Sequence, residues 1–404
     1  MPLSPSYLSR PGVVSSLGSG LSATVAALLD ETRAPDLSIS DAWVQGRALP
    51  LGQVTVPLRA LPADLPACHA SHNNHLLWHA LEAVEPDLFA AVERHGASRV
   101  GVVLGTSTSG VDENLPAFRH VAAGGSWEES GFNKPVQLLS SPVDFVTHQY
   151  GLGGIGFGIS TACTSGARAL MSAARLLRSG ACDAVLCGGV DSLSLLTIQG
   201  FASLEVVSDE VARPFAADRK GINIGEAAAV FVMTREPGTD TLALRGYGAS
   251  SDAWHMSSPR PDGKGALLAM QAALQTAGCL PADIGWVNLH GTGTELNDAM
   301  ESNAVVECLG NAVPCTSTKP FTGHTLGAAG ALEAAILWGI VDRQLNPDGR
   351  LPAQWGGYPP DPAIAPLKLA SASDCWPADK PRIGLSSSFA FGGNNAVLLL
   401  GETA

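Results

Sequence analysis

Gly158-Ile-Ser-Thr-Ala-Cys163-Thr-Ser-Gly-Ala167 is the stretch on which the fold turns. Ile155–Ile159 reads as a short strand. From about Thr164 to Ser179 the apolar positions Ala167, Leu170, Met171, Ala174 and Leu177 recur at helical spacing, and Gly180 supplies the stop. A strand that turns sharply into a helix belongs to α/β architecture. At the turn sits Cys163, where free backbone N–H groups and the helix dipole should lower the thiol pKa and expose the sulfur, as in other nucleophile elbows. A buried core cysteine would look the same. That is the expectation for most of the other seven: Cys68, Cys182, Cys187, Cys279, Cys308, Cys315 and Cys375.

Outward from this segment the same alternation continues. Arg99–Gly105, Ala184–Cys187 and Ala228–Met233 are apolar, β-branched core strands. From about Thr241 the mixture repeats. Leu267–Ala277 is helical, Trp286–Leu289 a strand, Gly327–Val341 a long apolar helix, and Ile383–Ser386 and Ala396–Leu400 are closing strands. We expect two similar α/β units, 1–240 and 241–404, although no sequence repeat proves a duplication. Pro347–Pro366 is expected to be a surface loop too apolar for a free linker.

Bulk properties narrow the function classes. With 404 residues, 46% hydrophobic and 15% charged, the chain can bury a large core. A net charge of −13 argues against a nucleic-acid partner, which needs a concentrated basic surface. The cysteines form no CxxC pair and read as reduced thiols. Pro2, Pro5 and Pro11 break any signal-peptide pattern, and Ala328–Val341 is too short to span a bilayer. We expect a cytoplasmic protein with no membrane span.

Two histidines sharpen the picture. His290 lies in Asn288-Leu-His-Gly-Thr-Gly-Thr294, at a strand end, and His324 in Ser317-Thr-Lys319-Pro-Phe-Thr-Gly-His324-Thr-Leu-Gly-Ala-Ala-Gly330, before the apolar helix. Two imidazoles near a thiol can hold a thioester oxygen and polarise a carboxylate. The Gly-rich turn Phe389-Ala-Phe391-Gly-Gly-Asn-Asn395 can offer N–H groups to an oxyanion. Singly each segment is weak, and a lone histidine is more often structural.

Together the four segments resemble the β-ketoacyl-acyl-carrier-protein synthases of the elongating type, in the thiolase-like superfamily. Arg213-Pro-Phe-Ala-Ala-Asp-Arg-Lys-Gly221, Gly225-Glu226 and Gly246–Pro259 extend the resemblance over about Gly12 to Leu400. It implies a five-layered α/β/α/β/α fold of two related halves, acting as a dimer. It implies that Cys163 takes an acyl chain from acyl carrier protein and that His290 and His324 assist decarboxylation of malonyl-carrier protein. The enolate then attacks the Cys163 thioester to give a 3-oxoacyl product. The N–H groups of Cys163 and Phe391 would form the oxyanion hole, with Lys319 setting the local field and Glu333 orienting it. Thr292, Thr294, Ser257 and Ser258 would line the pantetheine and substrate path, with Phe391 as gate. No resident cofactor is implied, because phosphopantetheine arrives on the carrier.

Initiating synthases show Cys-His-Asn where this chain has His324; thiolases carry a second cysteine where it has Phe391-Gly-Gly; chain-length factors lack the nucleophile. Against ordinary fatty-acid elongation stand Ala390, the Ser387 start of the last motif, a shortened loop before Arg213 and a poorly formed N-terminal strand. Asn288–Ser302 and the LPAQWGG loop resemble synthases associated with aryl polyene clusters. The partner chain is then another copy or a ketosynthase-like chain-length factor. Two other readings stay open: a Cys–His acyltransferase or thioesterase, and a non-catalytic or chain-length-determining subunit.

His69, His72, His75 and His79 invite a metal reading, but no set of further ligands completes one, and we expect no metal site. His72 and His75 instead stand where relatives carry carrier-docking Arg or Lys, so docking would strengthen below about pH 6.5. Arg168, Arg175 and Arg178 are expected to be solvated or salt-bridged, and Trp254, His255 and Met256 to pack in the core.

Overall fold

The structure is a computed structural model that describes residues 3–403. The first half contains β1 (Ser6–Ser9), β2 (Gly12–Ser15), α1 (His72–Leu81), α2 (Glu85–His95), β3 (Val100–Gly105), α3 (Ser141–Tyr150), β4 (Gly156–Ile159), α4 (Ser165–Arg178), β5 (Ala184–Asp191) and β6 (Ala227–Thr234). The second contains β7 (Thr241–Ser251), α5 (Lys264–Ala277), β8 (Trp286–Asn288), α6 (Glu295–Leu309), β9 (Pro314–Thr316), α7 (Ala329–Val341), β10 (Ile383–Ala390) and β11 (Asn394–Gly401).

Strand order shows the duplication that the sequence alone does not prove. In the first half β1 and β2 lie antiparallel to β6, β6 antiparallel to β5, then β5, β3 and β4 run parallel. In the second half β7 lies antiparallel to β11, β11 antiparallel to β10, then β10, β8 and β9 run parallel. With β1 and β2 counted as one strand, the order first–fifth–fourth–second–third is the same in both. An antiparallel β1–β7 pair joins the two leaves at their antiparallel edges. The repeat turns over between Thr234 and Thr241, and we divide the chain there. β1 is paired on both sides, so the N-terminal strand is well formed, contrary to expectation. Its signal is weak because four residues containing two serines carry little periodicity.

Helices α4 and α7 fill the space between the leaves. All thirteen residues of α7 are buried, which explains why its sequence shows no polar face. One core mixes side chains of α4 and α7 with those of β5, β6 and β11. A second core lies under α1, α2 and α3, and a third under α5 and α6. Helix, leaf, helix pair, leaf, helix gives the five layers of the thiolase-like fold.

The two central helices meet at glycines. A methyl group on Gly166 would come within 2.7 Å of the Ala331 nitrogen, and one on Gly330 within 2.7 Å of the Ala167 nitrogen. Backbone therefore packs on backbone, a separation that only Gly permits. Because each helix begins beside a reactive segment, this crossing fixes where those segments meet.

Three expectations are corrected. Trp254 and Met256 are 58% and 78% exposed rather than core, because their segment leaves the sheet after β7. Arg168 is half-buried against β7 and donates to the Ser250 carbonyl (3.2 Å), whereas Arg178 stays exposed, as expected, while donating to the Tyr247 hydroxyl (2.8 Å). The 347–366 loop is not wholly superficial, since Leu351 and Gln354 are buried.

Gly166→Ala and Gly330→Ala should each lower the unfolding free energy by about 1–3 kcal/mol through overpacking. Gly200→Ala, in a helix where nothing lies within 4 Å, should not destabilise. Equilibrium denaturant unfolding of the three variants checks this.

Candidate active site

Chain reversal at the end of β4 places Cys163. Ala162 adopts φ 52°, a left-handed conformation rare outside Gly, and the strained turn swings the next residue towards the helix pair. Hydroxyl bonds hold the turn: Ser165 Oγ donates to the Ala162 carbonyl (2.6 Å) and accepts from the Thr161 N–H (2.8 Å). In the second half, the segment between β9 and α7 carries Lys319 and His324, in the place that Cys163 occupies before α4. The structural repeat thus puts Cys163 and His324 at matching helix starts.

These groups converge in a buried cluster. His324 Nε2 lies 2.9 Å from Cys163 Sγ, and the His290 and His324 rings stand edge to face at 5.1 Å between centroids. Lys319 Nζ lies 3.4 Å from His290 Nδ1 and forms an ion pair with Glu333 from α7. An ammonium group can only donate, so Nδ1 accepts and the His290 ring proton sits on Nε2, the nitrogen turned away from Lys319.

Burial governs the protonation states. It pushes the Cys163 thiol up to about 12, outweighing the opposing effects of Lys319 and of its own backbone N–H. The expected lowering of the thiol pKa is therefore overturned, because desolvation of the sulfur exceeds what the helix start returns. Burial and Lys319 hold His324 well below the ordinary imidazole value, and burial, Lys319 and His324 do the same for His290. At rest both partners of this contact are neutral, a thiol against an imidazole. Burial also raises Glu333, to about 7, while Lys319 opposes the shift.

Several supporting residues escaped the sequence. Glu301, on α6, accepts from the N–H groups of His290 and Gly291 (both 2.7 Å) and from Ser387 Oγ (2.6 Å). Ser317 Oγ donates to the Gly291 carbonyl (2.7 Å) and accepts from the Lys319 N–H (3.4 Å). Gln354 in turn accepts from the Ser317 N–H (2.9 Å) and donates to Tyr358 (3.0 Å), whose hydroxyl donates to the Pro214 carbonyl (2.9 Å). A spacing of eleven residues between His290 and a helical carboxylate was available as a signal for Glu301; Gln354 gave none.

The cluster opens into a cavity of about 320 Å³, lined by Cys163, His290, His324, Thr292, Thr294, Ser257 and Phe391 among others. Ser258 is not among its lining residues. Thr292 and Thr294 hydroxyls share a 3.0 Å bond, and the Phe391 ring lies 5.5 Å from that of Phe201. The Met256 carbonyl accepts from the Gly392 N–H (2.8 Å), tying the exposed 254–256 segment to the Phe391 turn.

The histidines of 69–79 go to separate partners. His69 stacks on His148, His72 Nε2 bonds buried Glu226 (3.0 Å), His75 Nε2 bonds the Arg59 carbonyl (2.8 Å) and His79 Nε2 bonds Ser19 (2.7 Å). Glu226 holds the His72 pKa above the ordinary imidazole value. Any docking role for His72 and His75 has to use what these intramolecular bonds leave free.

Residues 73–237 match the family model described as beta-ketoacyl synthase, N-terminal domain, and residues 242–348 the C-terminal domain of the same family. The chain is 33% identical to the 3-oxoacyl-[acyl-carrier-protein] synthase 2 of Vibrio cholerae over 339 residues, 79% of each chain. It is 32% identical to the mitochondrial 3-oxoacyl-[acyl-carrier-protein] synthase of Arabidopsis thaliana, over 79% of this chain and 72% of that one. Among solved structures it resembles the ketosynthase ApeO of Xenorhabdus doucetiae, seen in complex with its chain length factor ApeC. Identity there is 42%, TM-score 0.91, and coverage 99% of this chain and 98% of that one. The ishigamide ketosynthase/chain length factor is similar at 25% identity and TM-score 0.83, with 99% of each chain covered.

Because both histidines are already neutral, acylation of Cys163 should vary less than threefold between pH 6.5 and 8.5 in single-turnover assays. A tenfold rise per pH unit would instead show attack by a pre-formed thiolate, and a fall centred near pH 6.5 an unperturbed histidine. Gln354→Ala should lower kcat at least fivefold with KM unchanged, since its bonds to Ser317 and Tyr358 lie behind Lys319 and the His290 turn and not in the cavity, and Gln354→Glu should restore part of the loss; steady-state kinetics separates these.

Proposed function

The chain belongs to the beta-ketoacyl synthase family and is a 3-oxoacyl-[acyl-carrier-protein] synthase, and on that premise we propose how its own residues divide the reaction. The observation that carries this reading is the 2.9 Å contact of the Cys163 thiol with His324, in one buried cluster with His290 and the Lys319–Glu333 pair. His324 takes the thiol proton as Cys163 attacks the carrier-bound thioester. The acyl group moves to sulfur, and the carrier leaves as its thiol with that proton.

Malonyl-carrier protein then occupies the same cavity, its pantetheine arm lying along Thr292 and Thr294, with no resident cofactor needed. Loss of carbon dioxide leaves an enolate. The Nε2–H of His290, polarised from behind by Lys319, donates to the enolate oxygen, as does any proton on His324. The enolate carbon attacks the Cys163 thioester, the Cys163 and Phe391 N–H groups hold the oxyanion, and the sulfur departs as a thiolate that takes one proton from solvent. The product is a 3-oxoacyl chain on the carrier. A burial that disfavours free charge suits a step that consumes one carboxylate and ends with a neutral thiol.

We further assign the chain to specialised rather than housekeeping synthesis, in an aryl polyene-type pathway. The 42% identity to a ketosynthase found with a chain length factor supports this, as do the Ala390 and Ser387 departures. The partner is a ketosynthase-like chain, and we favour a chain-length factor over a second copy. β4 ends the sheet with one side unpaired, and Ile155, Phe157, Leu138 and Leu139 are exposed beside it. Its place of action is the cytoplasm, as its unpaired thiols suggest.

Reconstitution with acyl- and malonyl-carrier proteins, followed by intact-protein mass spectrometry, tests the reading. The native chain should first gain the acyl mass on Cys163 and then yield 3-oxoacyl-carrier protein. Cys163→Ala should abolish condensation by at least 1,000-fold. Release of free acid without a carbon–carbon bond would favour a thioesterase, and no acylation under any pairing a non-catalytic subunit.

A further inference from the structure

The same three side chains that assemble the nucleophile also form a ligand set. The donor atoms of Cys163, His290 and His324 all lie within 4.8 Å of one another, buried at the inner end of the cavity. It is the one group of this kind among the described residues. We propose that the unacylated protein captures one Zn²⁺ on Cys163 Sγ, His290 Nε2 and His324 Nε2, and that this metal blocks acylation reversibly.

Geometry and donor chemistry both point this way. One thiolate and two imidazoles suit zinc, with a fourth position left to water from the cavity. Bond lengths of about 2.3 Å to sulfur and 2.0–2.1 Å to nitrogen place tetrahedral ligands about 3.3–3.6 Å apart. Cys163 and His324, at 2.9 Å, must part slightly, and His290 must close in, which side-chain rotation alone can provide. Hard cations are excluded, because Mg²⁺ and Ca²⁺ require oxygen ligands that the cluster lacks.

The charge balance is favourable for a buried place. Zinc displaces the thiol proton. The Nε2 proton of His290 must also go, because that nitrogen becomes a ligand, while the hydrogen between Nδ1 and the Lys319 Nζ 3.4 Å away stays in place. One Zn²⁺ enters and two protons leave to solvent, so the net charge of the cluster with Lys319 and Glu333 is unchanged. The acylated enzyme cannot bind in this way, since a thioester sulfur is no thiolate. The inference uses the geometry of the triad and does not rest on condensation being the reaction.

The test uses the full-length chain stripped with a chelator. One equivalent of ZnCl₂ is added, the protein is passed through gel filtration, and bound metal is counted by mass spectrometry. Alkylation of Cys163 by iodoacetamide is followed by peptide mass in parallel. We expect about one zinc per chain, at least tenfold slower alkylation, and full recovery with EDTA. Cys163→Ala should lose the zinc; His324→Gln, which keeps the thiol and the ring volume, should weaken retention at least tenfold. Cys375→Ser controls for the exposed thiol and should retain the metal. Equal zinc in the native chain and in Cys163→Ala, or alkylation at the metal-free rate, overturns the proposal. Neither readout involves a carrier protein, so its failure is separate from failure of the condensation reading.

Discussion

Everything at the site depends on how closely α4 and α7 approach. Gly166 and Gly330 let one helix backbone rest on the other, and the segments that precede these helices carry Cys163 and His324. A side chain at either glycine would push the helix starts apart. The 2.9 Å contact of sulfur and imidazole is therefore a consequence of packing in the middle layer, decided several residues away from the reacting atoms.

The duplicated topology explains why two segments 161 residues apart meet head to head. Each half sends its third strand into a central helix, and the leaves are joined by β1 and β7 so that the two helices share one layer. A turn before a helix offers free N–H groups and an exposed side chain, and the fold has two such turns facing each other. One holds Cys163 and the other His324. His290 arrives differently, from the end of β8, and needs Glu301 and Ser387 below it and Ser317 beside it to fix its turn.

Much of this was legible because short motifs report local geometry. A cysteine between strand and helix, and histidines in Gly-rich turns, mark places where backbone leaves regular structure, and those marks survive without any knowledge of packing. What failed were judgements that need the third dimension. The helix start alone would lower the thiol pKa, whereas burial dominates it. Trp254 and Met256 looked like core because they are large and apolar, yet their segment projects from the sheet to hydrogen-bond the Phe391 turn. Gln354 was invisible because it acts through bonds to Ser317 and Tyr358, made from a loop whose other residues are mostly at the surface.

The raised thiol and depressed imidazoles are two sides of one constraint. A dry cluster cannot hold a lasting ion unless a partner is built in, and here that partnership is Lys319 with Glu333. The remaining groups stay neutral and charge appears only in passing: a thiolate during acyl transfer, an enolate during condensation. A permanently ionised sulfur would attract protons, oxidants and metals between turnovers, whereas a thiol paired with a neutral imidazole becomes nucleophilic when a thioester carbonyl is close enough to accept it. The vulnerability that remains is towards a species that can remove the protons itself, and a thiophilic cation is the simplest such species.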